Sequence, residues 1–343
     1  MKKACIFILA SVLFLGLNGQ PVVTNSGPGK STYVHFVPEK FSNLFTLNTE
    51  PVLKIHSGDT VSTETIDAMG FDKNGVKRQK GGNPLTGPFY IENSEAGDVL
   101  QITLNTISLN RSYAYTTETF ISRSVPEEIS KQFSKRAPLV KWKLDLESRT
   151  GWLDSAASKF VHLQNFKIPL NPFLGCIGLA PDNRKNEILS FFQGSFGGNM
   201  DFSRIASGST VYLPVFHDGG FLYIGDGHAA QGDGEIAGNA LETSLNVEFT
   251  VKLIKKEQLQ LTIPRIEDSV YIMSVGSSET LENALKTATA DLLVWLRNDY
   301  QITLEEATQV MSTSIEYTIA DIADPEVIVV AKIKKKLLLS LKK

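Results

Sequence analysis

The chain has 343 residues, 42% hydrophobic and 21% charged, which is the composition of a globular protein with ample length for a core. Its formal charge of −3 argues against a nucleic-acid partner, because phosphate recognition calls for clustered Lys and Arg on a basic face.

The first residues, MKKACIFILASVLFLGLNGQ, place two lysines before an apolar run that ends in small and polar residues. This is the pattern of a secretory signal peptide, and the run is shorter than the ~20 residues that span a bilayer. Cleavage is expected after Gly19. That leaves residues 20–343 as one exported domain, periplasmic or secreted, with no integral membrane span. Losing residues 1–19 removes Lys2 and Lys3 and no acid, which takes the formal charge from −3 to −5. Cys5 stands too early to carry lipid at a cleavage site. Cys176 then remains alone, so no internal disulfide is expected. Within FLGCIGLAP it reads as a buried, inert thiol, with a nucleophile as the alternative.

The rest of the chain reads as mostly β. Leu100, Ile102 and Leu104 alternate in DVLQITLNTI, Val211, Leu213 and Val215 in STVYLPVF, and Leu245, Val247, Phe249, Val251 and Leu253 in SLNVEFTVKL. A period of two marks half-buried strands of antiparallel sheets. The stretch 111–170 carries the weakest signals and reads as an insertion. Helix is expected late, with Leu281, Leu285, Ala288, Leu292 and Trp295 on one stripe. A second helix is expected from Thr303. Thr303 and Glu306 form its capping pattern, and Leu304, Ala307 and Val310 its apolar face. The basic tail KIKKKLLLSLKK reads as a solvated or partly docked terminus, with a contact to anionic lipid as the alternative.

Three segments carry chemistry. GDGHAAQGDGE, residues 225–235, holds Asp226, His228, Asp233 and Glu235 among four glycines. Glycines permit positive φ and close approach of backbone to a ligand, while the acids and imidazole supply metal ligands or a general base. An EF-hand is excluded, because the sixth position counted from Asp226 is Gln231, where glycine is required. A polar double turn closed by its own aspartates is the alternative. SFGGNMDFS, residues 195–203, offers Asn199 and Asp201. HSGDTVSTETIDAMG, residues 56–70, reads as a strand carrying Glu64 and Asp67, which are unfavourable there unless solvated or liganded.

Together with NPLTGPFYIENSEAGDVL, GCIGLAP, GSTVYLPV and TIADIADPEVIVVAKI, these segments resemble the acetamidase/formamidase family of amide hydrolases, in order and through most of the chain. The resemblance implies a β-sandwich-rich fold with a small helical segment near the C-terminus. It implies hydrolysis of a short-chain amide such as formamide or acetamide to carboxylate and ammonia. It further implies a divalent metal, with zinc the usual suspicion and calcium possible, and a homo-oligomer, a dimer being the expected form. Within that reading His35, Asp67, Asp201 and His228 are the candidate ligands. Glu235 is the candidate base, with Asp226 next. Asn199 and Gln231 are candidates to hold the amide or the oxyanion. The alternative is a non-catalytic or divergent homologue that binds a larger amide, a lactam or another small ligand. Phe196 stands where many members carry a polar residue before the glycines, which implies a more apolar pocket.

Overall fold

The computed structural model describes residues 22–24, 31–134, 137–154, 159–183, 185 and 187–341. The proposed leader, residues 1–19, lies outside the described residues. Among the described residues no helix is long and apolar enough to cross a membrane.

Two large sheets form the body, one of ten strands and one of eleven. The ten-stranded sheet is built around Leu245–Ile254, which pairs with Thr60–Glu64 on one side and Val99–Leu109 on the other. The expected alternation holds here: Leu245, Val247, Phe249 and Val251 are buried, and the residues between them are not. In Val99–Leu109 the phase slips where Thr106 pairs with Glu248 but Leu104 pairs with Phe249. Asn105 is the extra residue of a bulge, so the buried positions run Leu100, Ile102, Leu104 and then Ile107. The sheets are mainly antiparallel, with two parallel pairs, Tyr33–His35 on Thr60–Glu64 and Leu53–Ile55 on Leu85–Ile91.

The second sheet centres on Leu222–His228, buried at every position and paired with Phe173–Gly178 and Leu85–Ile91. Leu174, Leu222, Ile224 and Phe89 of this sheet share one continuous core with Leu100, Ile102, Leu104, Leu213 and Phe249 of the other. This is the sandwich-rich fold that the family resemblance implies.

Residues 111–170 contribute strands to the second sheet. Tyr113–Thr117, Leu139–Asp145, Thr150–Leu153 and Lys167–Pro169 extend the second sheet edgewise as a meander. They bury Trp142, Leu144 and Leu153 against Ala229 and Leu241.

The two expected helices are present as Leu281–Tyr300 and Leu304–Ser314. The capping box forms in full: Glu306 N donates to Thr303 Oγ1 at 3.2 Å and Thr303 N to Glu306 Oε2 at 2.8 Å. The buried stripe of the first helix differs from the expected one. Ala284, Ala288, Leu292, Trp295 and Leu296 face the sheet, while Leu281 and Leu285 are exposed. The reason is a close approach at Gly276, where a Cβ would lie 2.1 Å from the Ala284 carbonyl oxygen. Only alanine fits beneath the helix there, so the leucines turn outward. Leu304 is likewise exposed, and Ala307 and Met311 form the buried face of the second helix. The tail is docked in part, with Leu338 buried beside Ile333.

Candidate functional site

The site is built where three strands of the second sheet meet the C-terminal segment. Leu222–His228 supplies Asp226 and His228, Glu242–Thr243 pairs with its end, and Gly197–Asn199 leads into Asp201. Gly175, on Phe173–Gly178, makes the convergence possible. A Cβ there would lie 2.4 Å from Asp201 Oδ1 and 2.7 Å from Asp226 Oδ2, so any side chain would occupy the space these carboxylates share. Asp201, Asp226 and Glu235 all have left-handed backbone, with φ of 41°, 53° and 46°. Such conformations are uncommon outside glycine and cluster at functional sites.

His228 sits at the centre, buried to 1% exposure, with the Phe173 ring edge-on at 4.9 Å. Its Nδ1 lies 3.6 Å from Asp201 Oδ1, and its Nε2 lies 3.5 Å from Asp226 Oδ2 and 3.3 Å from Glu242 Oε2. Three groups of side chains have ligand atoms within 4.8 Å of one another: Asp201, Asp226 and His228; His228, Glu235 and Glu242; and Asp201, Asp321 and Asp324.

Electrostatics make this cluster demanding. Among the described residues, no lysine or arginine pairs with the carboxylates of Asp201, Asp226, Glu235 or Glu242. Burial, followed by repulsion from neighbouring carboxylates, pushes Asp201 well above the usual carboxylate range. Burial does the same to Glu235 and raises Glu242, in both cases against the opposing pull of His228. Asp321 is pushed up to about 6 and Asp324 to about 8, burial being the largest cause in each. For His228, burial disfavours the imidazolium, but Glu242 and Asp226 outweigh it and hold the ring well above its ordinary value. Asp201 Oδ1, Asp226 Oδ1, Glu242 Oε2 and both ring nitrogens of His228 are buried without a hydrogen-bond partner. Unpaired buried carboxylate oxygens of like charge are costly, and a bound cation can satisfy them together with one ring nitrogen of His228. The donor set therefore fits a metal ion.

The Acetamidase/Formamidase family model matches residues 193–333, which contain every one of these ligand-capable side chains. The chain is similar to an acetamidase from Yersinia enterocolitica, at 29% identity and a TM-score of 0.75 over 91% of this chain and 94% of that one. It is similar to an acetamidase from Bacillus halodurans, at 26% identity and a TM-score of 0.74 over 90% of this chain and 99% of that one. These matches support the acetamidase/formamidase family for this chain. It is also 45% identical over 60 residues to a formamidase from Methylophilus methylotrophus, a match that spans 17% of this chain and 15% of that protein's length.

Within this family fold, the residues singled out from sequence fare differently. Asp201, Asp226, His228 and Glu235 come together. His35 does not: it is exposed on Tyr33–His35 of the other sheet, with its ring 3.4 Å from Ser62 Oγ. Asp67 is buried but pairs with Arg111 Nη2 at 2.8 Å and accepts the amides of Met69 and Phe71, so it serves a turn and an ion pair. Asn199 is fully committed. Its Nδ2 donates to Asp201 and Asp324 at 2.5 Å each, and its Oδ1 accepts from Cys176 Sγ and Asn83 Nδ2. It braces the acids and has no group left to hold an amide. Gln231 donates through Nε2 to the carbonyls of Asp201 and Ala320, at 2.6 and 3.2 Å. Its Oε1 is buried and unpartnered.

Phe196 packs on Phe45 at 5.3 Å in a separate apolar cluster and is no part of the acid group. The glycines of the motif also act differently from expectation. Gly225 and Gly227 allow close packing of neighbouring strands, and Gly234 alone among the four has positive φ. Glu242, Asp321 and Asp324 were not among the expected residues. Glu242 lies in NALETSL, and Asp321 and Asp324 in TIADIADPEV, outside the glycine-rich segments that carry the signal for the other acids.

Cys176 is buried, and its thiol is pushed well above its ordinary value by burial and then by Asp226. A thiol held protonated is a poor nucleophile. Iodoacetamide is expected to label Cys176 only after denaturation, as read by peptide mass. Labelling of the native protein that tracks loss of activity would restore the thiol mechanism.

Proposed function

We propose that the protein is a metal-dependent amidohydrolase that converts a primary amide to carboxylate and ammonia. The observation that carries this reading is the convergence of unpartnered donor atoms from Asp201, Asp226, His228 and Glu242 in one buried site. Asp201, Asp226 and His228, whose ligand atoms form one group, would hold the ion and leave a position open for water, with Glu242 beside the ring. An imidazole among carboxylates favours zinc over calcium, which prefers all-oxygen sets. When bound, such an ion polarises the amide carbonyl and acidifies a water to near neutrality.

The chain's own residues then do the proton work. Glu235 takes a proton as the water oxygen bonds to the carbonyl carbon, and returns it to nitrogen as the C–N bond breaks. One water is consumed, and the products are the acid and ammonia. Asp226 is the second candidate for this role.

The test is metal analysis of the purified protein beside ammonia release from a panel of primary amides, before and after chelation. Bound divalent metal with ammonia release that chelation abolishes and zinc restores is the expected result. A metal-loaded protein that binds amides without releasing ammonia would favour the divergent, non-catalytic homologue.

A further inference from the structure

Two side-chain amides tie the carboxylates of the metal group to one another. Asn83 stands just before Leu85–Ile91, a strand that pairs with Leu222–His228. Its Nδ2 donates to Asp226 Oδ2 at 3.0 Å and to Asn199 Oδ1 at 3.3 Å. Asn199 in turn donates through its Nδ2 to Asp201 Oδ2 at 2.5 Å. The contacts therefore run in series from Asp226 through Asn83 and Asn199 to Asp201. An amide nitrogen carries two hydrogens, and this series uses both of those on Asn83.

Backbone and side chain at position 83 both select asparagine. Its φ of 50° is left-handed, a region that asparagine tolerates better than most side chains. Glycine would meet that backbone demand but would leave Asp226 Oδ2 without this donor. The turn itself is anchored by other groups. The Gly82 carbonyl accepts from Asn43 Nδ2 and Ser190 Oγ, at 2.7 Å each, and Gly82 N donates to the Ala68 carbonyl at 2.9 Å. The Asn83 amide is thus spent on the acids and not on holding its own turn.

We propose that Asn83 is a positioning residue of the metal site, whose amide holds the Asp226 carboxylate, and through Asn199 that of Asp201, in the orientation that closes around the ion with His228. The proposal rests on the metal-dependent reading above and deepens it. Hydrogen-bond partners orient metal ligands, and losing one costs about 10- to 100-fold in metal affinity.

Zinc-loaded protein is titrated with a chromophoric chelator to read the apparent zinc Kd. Asn83→Gly keeps the left-handed backbone and removes only the amide, and it should weaken zinc by about 10- to 100-fold. Asn83→Ser, whose hydroxyl is too short to reach both partners, carries the same expectation if Asn83→Gly does not fold. Asn43→Ala removes a hydrogen bond from the same turn without touching the acids. It should lower the melting temperature and leave the zinc Kd unchanged. A wild-type Kd in Asn83→Gly would overturn the proposal. Equal weakening in Asn43→Ala would overturn it too, because the turn and not the amide would then be responsible. His228→Ala tells the two possible failures apart. Zinc absent from the wild type, or retained by His228→Ala, means that the metal site itself fails and the proposal falls with it. Zinc lost from His228→Ala but held normally by Asn83→Gly refutes the positioning role alone.

Discussion

His228→Ala is expected to empty the metal site and lower ammonia release by on the order of 10³-fold. His228 belongs to two of the three ligand-capable groups, as Asp201 does, and it supplies the only nitrogen donor in them. Its loss leaves Asp201, Asp226 and Glu242 facing one another without the imidazole that now lies within 3.3 to 3.6 Å of each. The rate figure follows from the several kcal/mol that metal assistance contributes, at about 1.4 kcal/mol per tenfold. Metal stoichiometry and circular dichroism of the same sample check it. A variant that keeps its fold, its metal and its turnover would show that the cluster is a buried turn closed by its own polar groups.

Glu235→Gln is expected to fail in a different way, keeping fold and metal while losing rate by ~10²–10⁴-fold, the size of a general-base contribution. The change is isosteric and leaves the left-handed backbone at φ 46° as strained as before, so stability should move little. Single-turnover ammonia release at saturating metal isolates the chemical step. If Glu235→Gln loses metal as His228→Ala does, Glu235 is a ligand beside Glu242, and Asp226 becomes the base to test.

Much of the fold was legible because burial alternates along strands, and Leu245, Val247, Phe249 and Val251 carry that period in plain sequence. The same rule corrects His35. Val34 and Phe36 are buried, so His35 between them must face outward. Resemblance placed a histidine near the site, and strand register placed it elsewhere. The Asp67–Arg111 pair was hidden for another reason: Arg111 opens the stretch with the weakest periodic signal, and a long-range ion pair leaves no local trace. Leu281 and Leu285 misled because hydrophobicity alone ranks leucine above alanine, whereas the clearance over Gly276 ranks them the other way.

The acid cluster divides in a similar way. Asp226, His228 and Glu235 announce themselves through glycine-rich sequence that no packed core requires. Glu242, Asp321 and Asp324 lie among apolar residues, and only the meeting of distant strands brings them to His228 and Asp201. Asn199 was visible as a polar residue in the right motif, but its role as a brace depends on Asn83, Cys176 and Asp324, which sequence does not place around it.

The most direct test of the metal site is anomalous diffraction at the zinc edge from crystals of the zinc-loaded protein. A single strong peak is expected between Asp201, Asp226 and His228, with ligand distances of ~2.0–2.2 Å. A fully active crystal with no peak among these three side chains, or with its peak elsewhere, would contradict the metal site.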